Sequence, residues 1–279
     1  MKIIDVFPFF NEFTLLIERI AFGYHHVDYF IISDAEVTFV GDKKDRRLSL
    51  DDIPEKFRDK VLIVTVPDLT IDEMLLFMNT YSGITKPHES ILHKHNGKPL
   101  STLANHFIRE VFQRDYPINF IRSLDLEEST IVITGDLDEF HDLTREELVK
   151  LRLDGVIYCK MKWLVYNLNT SYGDPWIGSR ISTLKTLYAQ SIDSLVRDKE
   201  NIECYEQHEL IEAGRHISFL GGIDAIKTKL VAYNYQGSRL APLWNCLDSL
   251  GNWRIRLFLF LRIDVLDPRR RLYRSDDNN

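Results

Sequence analysis

Alternation between strand-like and helix-like segments is the feature that most limits the folds open to this chain. Residues 2–7, 27–33 and 60–66 are short apolar runs typical of strands. Between the first two, apolar residues recur at helical spacing over residues 13–20, after Asn11, a good N-cap residue. A strand, a helix and a strand in this order indicate a parallel unit. We therefore predict an α/β fold with a mostly parallel central sheet flanked by helices.

The pattern continues through the middle of the chain. Residues 100–114 have apolar side chains at helical spacing, and Thr144-x-x-Glu147 is a capping-box pattern that begins another helix. Residues 155–166 predict a long strand. Because no repeat, low-complexity stretch or clear linker divides the sequence, we predict one domain over residues 1–279.

A β-branched run at residues 130–134 ends directly in three acids. Such a run suits a strand buried on both faces, and open α/β sheets bind ligands at the carboxyl ends of their strands. Asp136, Asp138 and Glu139 would repel one another there unless a cation neutralised them. Mg²⁺ and Mn²⁺ prefer carboxylate oxygens together with substrate phosphate. Residues 136–139, the acidic turn, therefore predict a metal and diphosphate site; the alternative is a polar loop that caps the next helix.

A second candidate site runs from His216 to Asp224 around Gly221-Gly222. The apolar residues that follow lie on one helical face, so the glycines predict a tight turn and Asp224 falls in the first helical turn. The glycines permit close approach of the backbone to a substrate, and Lys227 and Lys229 can pair with phosphate. The alternatives are an acid stabilised by the helix dipole and a hydrogen-bonded core histidine.

Composition excludes several classes of function. A net charge of −7 and a pI near 5.7 argue against nucleic acid as a partner. The scattered Cys159, Cys204 and Cys246 form neither a disulfide framework nor a zinc knuckle. Asp5 interrupts any apolar signal region, and no run approaches the roughly 18 apolar residues of a membrane span. We predict a soluble, cytoplasmic protein without a transmembrane segment.

Several stretches, taken together, resemble glycosyltransferase family 17, which includes an N-acetylglucosaminyltransferase that adds a β-1,4-linked sugar to N-glycans. Residues 27–41, Glu110–Arg114 and Trp176–Arg180 contribute to the resemblance. The longest matching stretches are D-V-F-P-F-F-N-E-F-T-L-L-I-E-R-I, G-D-L-D-E-F and H-I-S-F-L-G-G-I-D-A-I-K-T-K-L. The matches cover roughly residues 2–235 in the expected order.

The resemblance implies a fold of the GT-A type and an inverting, metal-dependent transfer. The donor would be a UDP-sugar, with N-acetylglucosamine as the expected sugar, and the acceptor a hydroxyl of a glycan or glycoconjugate. It divides the domain into a nucleotide-binding half at about residues 1–140 and an acceptor half at about residues 141–245. Residues 246–279 lie beyond the matching stretches, and we predict a C-terminal helix and a basic tail there.

The resemblance also suggests roles for individual residues. For Mn²⁺ or Mg²⁺, the expected ligands are Asp136, Asp138 and His216. Asp224 is the expected general base, because an inverting transfer needs a carboxylate to take the proton of the acceptor hydroxyl. Its competitors for that role are Glu139, Asp174 and Glu209.

Donor and acceptor contacts complete the predicted site. Residues expected to bind the nucleotide or its phosphates are Asn11, Glu12, Asp34, Arg114 and Lys229. Helix capping by Asn11 and a surface salt bridge of Arg114 are the alternatives. Aromatic side chains that could face a sugar are Trp163, Tyr166, Tyr172 and Trp176, although core packing explains Trp163 equally well.

Two other functions remain open from the sequence. A metal-dependent phosphohydrolase also places an acid pair at the end of a strand, but it expects the pair near the start of the chain. A non-catalytic carbohydrate-binding protein would keep the fold without the chemistry. The basic cluster at Arg269–Arg271 with Arg274 predicts a solvated tail, or weak peripheral contact with a membrane or an acidic partner.

Overall fold

The computed structural model describes residues 1–79, 104–192, 209–220 and 271–274. Within these ranges, ten strands join in one sheet. The strands are β1 (Ile3–Phe9), β2 (Tyr29–Ala35), β3 (Val61–Val66), β4 (Ile131–Thr134), β5 (Glu139–Phe140), β6 (Ile157–Val165), β7 (Thr170–Ser171), β8 (Trp176–Thr183), β9 (Glu209–Ser218) and β10 (Tyr273–Arg274).

Helices flank the sheet, which confirms the predicted α/β class. The α-helices of the described residues are α1 (Phe13–Gly23), α2 (Ile71–Asn79), α3 (Asn105–Asp115), α4 (Pro117–Ser123), α5 (Arg145–Lys150) and α6 (Leu184–Gln190). Two short 3-10 helices, Leu50–Asp52 and Glu55–Lys60, precede β3.

The sheet is mixed, so the prediction of a mostly parallel sheet holds only for its first half. Strands β3, β2, β1 and β4 are adjacent and parallel. Beyond β4, strands β8 and β6 pair antiparallel, and β9 runs parallel to β6. The connection from β6 to β8 spans only residues 166–175, and a connection this short suits antiparallel neighbours, whereas parallel ones need a longer crossover.

Strand β4 lies at the centre of the sheet, with both faces covered. All four of its residues are buried, as the β-branched run predicted. Ile131 and Ile133 pack into the cluster that also contains residues of α1, and Val132 packs on the opposite face with residues of α4 and α6. This burial fixes where the chain emerges at Thr134, and therefore where the acidic turn begins.

Two helix starts test the sequence-based predictions. Helix α5 begins with the predicted capping box, in which the Thr144 hydroxyl accepts from the Glu147 N–H and the Glu147 carboxylate accepts from the Thr144 N–H. The prediction that Asn11 caps α1 is wrong. Glu12 is the N-cap residue, because its carbonyl accepts the N–H of Leu16, and its side chain makes no capping bond.

Strand β10 lies at the sheet edge, where it pairs antiparallel with β7. It includes Arg274, so this part of the predicted basic tail is an exposed edge strand. Arg269 and Arg270 lie outside the described residues. None of the helices in the described ranges is long and apolar enough to cross a membrane.

Candidate functional site

A cleft of about 260 Å³ opens at the edge of the sheet where β1, β4, β6 and β9 end and β8 begins. Five of the residues predicted to bind the metal or the donor line it: Glu12, Arg114, Asp136, Asp138 and His216. The remaining lining residues are Pro8, Phe9, Phe10, Phe39, Gln113, Leu137, Trp163, Trp176, Ser218 and Phe219. Residues that lie far apart in the sequence therefore meet at one edge, because parallel strands carry their carboxyl ends to the same side.

The acidic turn begins directly after β4 and is tightly closed. The Glu139 N–H donates to the Asp136 carbonyl at 3.0 Å, and the Ile217 N–H of β9 donates to the Asp138 carbonyl at 2.8 Å. Gly135 precedes the turn, where a Cβ atom would lie 2.5 Å from Glu139 Oε2 and 3.2 Å from the Ser179 Cα. Only a residue without a side chain allows this approach of the turn to β8.

Glu139 is the most buried acid of the turn, with 1% of its surface exposed. Its Oε1 accepts the indole N–H of Trp176 at 2.7 Å, and its Oε2 accepts the backbone N–H of Asp136 at 3.2 Å. The Glu139 carboxylate thus links the acidic turn to Trp176, which lines the cleft. This geometry favours a positioning role for Glu139 over the alternative role of general base.

Arg19 of α1 contacts the backbone of the same turn. Its guanidinium pairs with Asp5 of β1 and donates to backbone carbonyls of the acidic turn. Only 3% of Arg19 and 2% of Asp5 is exposed. No sequence pattern predicted this contact, because an arginine in an amphipathic helix is expected on the solvent face.

Asp138 and His216 come into direct contact across the cleft. His216 Nε2 lies 3.3 Å from Asp138 Oδ1, and each side chain is more than nine-tenths buried. The imidazole stacks on Trp176 with ring centroids 4.4 Å apart, and it lies 3.1 Å from the Ser218 hydroxyl. These contacts leave the ring little freedom to turn, so the carboxylate and the imidazole are held as a pair.

Asp136 has a different partner. Its Oδ1 lies 2.7 Å from NH1 of Arg114, and Arg114 NH2 donates to Glu110 at 3.2 Å. Arg114 is 5% exposed and lines the cleft, so the alternative of a surface salt bridge is wrong. An arginine fork beside a carboxylate in a cleft is suited to bidentate contact with phosphate.

Arg180 is a third buried arginine near the acidic turn, after Arg19 and Arg114. It lies on β8 directly opposite Thr134, and its guanidinium donates to the Gly178 carbonyl. Burial lowers the pKa of this guanidinium, while the nearby Glu139 carboxylate acts to raise it. Arg180 thus offsets part of the negative charge that the turn concentrates at this edge.

Asp138 and His216 could supply part of the coordination shell of a divalent ion. Ligands in adjacent positions around an octahedral ion at 2.0–2.1 Å are about 3 Å apart, which is close to the Asp138–His216 separation of 3.3 Å. Carboxylate oxygen with imidazole nitrogen fits Mn²⁺ better than Mg²⁺. Within the described ranges no group of three side chains forms a complete metal site. The protein would thus supply Asp138 and His216, and substrate phosphate and water the rest.

The predicted donor contacts divide into two groups. Glu12 and Arg114 line the cleft, whereas Asn11 is exposed and is not a lining residue. Asp34 is fully buried at the end of β2, and it too is not among the lining residues. Lys229 and the expected base Asp224 lie outside the described residues.

Asp34 holds a loop instead of facing the cleft. Its carboxylate accepts from Lys44 Nζ at 2.5 Å, from Arg47 Nε at 2.7 Å and from the Leu48 N–H at 3.0 Å. Burial lowers the pKa of the Lys44 ammonium, and Asp34 acts to raise it. These bonds account for the burial of the acid, so a direct contact of Asp34 with base or ribose finds no support in the geometry.

The two ends of the cleft are aromatic. Phe10 and Phe39 line the end beside β1 and β2, and Trp163 and Trp176 line the end beside β6 and β8. Trp163 and Trp176 pack with ring centroids 4.8 Å apart, so they form one aromatic wall. Phe39 lies in the stretch 27–41 that resembles the family, but no local pattern marked it as a site residue.

The other candidate acids lie elsewhere. Asp174 and Glu209 are exposed and do not line the cleft. Tyr172 packs edge-on against Trp163 with ring centroids 4.4 Å apart, so it supports the aromatic wall. Tyr166 lies near Phe219, with ring centroids 5.9 Å apart. Neither tyrosine lines the cleft.

Comparison of the chain with models of known protein families and with curated proteins finds no match.

Proposed function

We propose that the chain is an inverting, metal-dependent glycosyltransferase with a fold of the GT-A type, which moves a sugar from a UDP-sugar to a glycan acceptor hydroxyl. N-acetylglucosamine is the sugar proposed for transfer. The observation that carries the proposal is the meeting of Arg114, Asp136, Asp138 and His216, from three separate parts of the chain, in one cleft at the carboxyl edge of the sheet.

The order of groups along the cleft supports a nucleotide sugar as the ligand. In the sheet, β2 and β1 lie on one side of β4, and β8, β6 and β9 on the other. The cleft accordingly runs from Phe39 and Phe10, past the charged residues of the acidic turn, to Trp163 and Trp176. A nucleotide sugar has its chemical groups in the same order. Its base would lie beside Phe39 and Phe10, its diphosphate beside the charged residues and its sugar beside Trp163 and Trp176.

The charged residues account for the departure of the diphosphate. Asp138 and His216 would hold the divalent ion, which when bound supplies a Lewis acid for the charge that develops on the leaving phosphate. Arg114 lies beside Asp136, where its fork can pair with phosphate oxygens in place of that carboxylate. The burial of Asp138, His216 and Arg114 strengthens these interactions, because the dielectric around buried groups is lower than in water.

The acceptor side needs a carboxylate that takes a proton from the attacking hydroxyl. Asp224 keeps this role in the proposal, because Glu139 is engaged by Trp176 and by the acidic turn. The faces of Trp163 and Trp176 offer an apolar surface to a sugar ring at the same end of the cleft as His216. An acceptor bound there would lie next to the transferred sugar.

Release of UDP from a panel of UDP-sugars, measured with and without Mn²⁺ and with and without glycan acceptors, tests the proposal. We expect release that requires both metal and acceptor. Asp138→Asn should abolish it, whereas Asp154→Asn, the same change at an exposed acid that pairs with Arg152, should not.

The alternatives give different results in the same assay. Phosphate release from simple esters without an acceptor would favour a phosphohydrolase. Glycan binding that survives Asp138→Asn, with no turnover in the wild type, would favour a carbohydrate-binding protein. The absence of metal-dependent UDP release with every donor and acceptor would contradict the proposed transferase.

A further inference from the structure

We infer that Arg19 is a positioning residue that fixes the acidic turn through its backbone and so sets the divalent-metal affinity of the cleft. The inference rests on the proposed function. Arg19 does not line the cleft, so it would act on the metal only through the turn.

The contacts of Arg19 divide cleanly between two partners. Its Nε and NH2 donate to the two carboxylate oxygens of Asp5 at 2.9 and 2.8 Å. Its NH1 donates to the carbonyls of Asp136 at 2.6 Å and Glu139 at 2.8 Å, with that of Leu137 at 3.3 Å. One side of the guanidinium thus binds Asp5 of β1, and the other donates to three carbonyls of the acidic turn.

This arrangement decides which way the acidic side chains face. The carbonyls of Asp136, Leu137 and Glu139 point towards the guanidinium of Arg19, while the side chains of Asp136 and Asp138 line the cleft. If the carbonyls lost their common donor, the turn could rotate, and the Asp138 carboxylate would leave the position it holds 3.3 Å from His216. Arg19 therefore controls the separation of the two proposed metal ligands.

Stability alone does not explain a charged pair at this place. Burying Arg19 with Asp5 carries a desolvation penalty that often cancels the attraction between the charges. The ring of Phe7, 4.3 Å from the guanidinium carbon, gives a cation–π contact that lowers this penalty. A guanidinium is the side chain with enough donors in a fixed plane to bind a carboxylate and backbone carbonyls at once.

Arg19→Lys is the direct test, because lysine keeps the charge but has one nitrogen and no fork. Groups that orient metal ligands typically change metal affinity or activity by about 10–100-fold when mutated. We therefore expect Arg19→Lys to weaken Mn²⁺ binding by about 10–100-fold, measured by calorimetric titration of the protein without nucleotide. The Mn²⁺ concentration for half-maximal activity should rise by the same factor, with a smaller change in kcat at saturating metal.

Arg145→Lys is the matched control. Arg145 also donates to a carboxylate, that of Asp28, and to two backbone carbonyls, those of Met1 and His26. None of these partners belongs to the acidic turn. Its substitution should leave Mn²⁺ affinity at the wild-type value. Asp5→Asn is the second test variant if Arg19→Lys does not fold, since it keeps the shape of the anchor while weakening it; we expect several-fold weaker Mn²⁺ binding.

The outcomes separate the inference from the function on which it rests. Wild-type Mn²⁺ affinity in folded Arg19→Lys or, if that variant does not fold, in Asp5→Asn would overturn the role of Arg19 and leave the transferase proposal standing. A loss no larger than that of Arg145→Lys would do the same. Absence of Mn²⁺ binding and of UDP release in the wild type would overturn both.

Discussion

Replacing Trp176 by Phe tests whether the wall of the cleft is tied to the acidic turn. The change keeps an aromatic ring but removes the indole N–H that donates to Glu139 Oε1 at 2.7 Å. Glu139 is 1% exposed, so water cannot easily take the place of the lost donor. Loss of a hydrogen bond to a charged group costs about 1.5–3 kcal/mol.

Trp163→Phe is the matched comparison within the same aromatic wall. Its indole N–H donates to the neutral Ser218 hydroxyl at 3.2 Å, and a bond of this kind contributes about 0.5–1.5 kcal/mol. Both variants lose similar apolar area, so that term largely cancels between them. We expect the free energy of unfolding to fall by about 1–2 kcal/mol more for Trp176→Phe.

Urea denaturation followed by far-ultraviolet circular dichroism measures this difference directly. Trp176→Phe should also lower kcat, because the turn loses the contact that joins it to the cleft wall. Equal losses of stability in the two variants would refute the reasoning, since they would show that the Glu139 contact adds nothing beyond packing. A larger loss for Trp163→Phe would refute it as well.

Three further predictions concern the surroundings of the site. Gly135→Ala should cost about 1–3 kcal/mol in thermal unfolding through overpacking and should reduce activity, because its Cβ would lie 2.5 Å from Glu139 Oε2. Asp34→Asn should cost about 3–5 kcal/mol, because it breaks the buried ion pair with Lys44; an unchanged melting temperature would contradict this. Burial lowers the pKa of His141 from 6.5 to about 4, so stability should fall as pH falls between these values, since only the unfolded state takes up the proton there. His141→Gln should flatten this part of the stability curve, and a slope equal to that of the wild type would contradict the assignment.

The strands and the acidic turn were predictable because their signals are local. The β-branched run before Asp136 is buried on both faces as predicted, and the Thr144 capping box forms as its spacing indicated. The order β4, β8, β6 was not predictable, because antiparallel pairing depends on partners that no local pattern names. The start of α1 at Phe13 was also not predictable from local sequence. Asn11 is a residue type that favours the N-cap position, but Glu12 occupies that position in the structure.

The candidate site follows the same division. Asp136, Asp138 and His216 were found from residue type and position, and all three line one cleft. Asp34 was expected in the site because it ends β2, but its partners Lys44 and Arg47 lie in an irregular loop with no recognisable signal. The contacts of Arg19 with the acidic turn join positions more than one hundred residues apart, which only the fold brings together.

The central claim is that Asp138 and His216 hold a divalent ion that the cleft needs in order to bind a uridine diphosphate group. The most direct measurement is the melting temperature of the wild-type protein with UDP, with Mn²⁺, and with both together. A ligand that binds only the folded state raises its stability in proportion to the logarithm of its concentration above Kd. We expect a rise with UDP that requires Mn²⁺ and is lost in Asp138→Asn. An equal rise with UDP in the absence of any divalent ion, or no rise with both together, would contradict it.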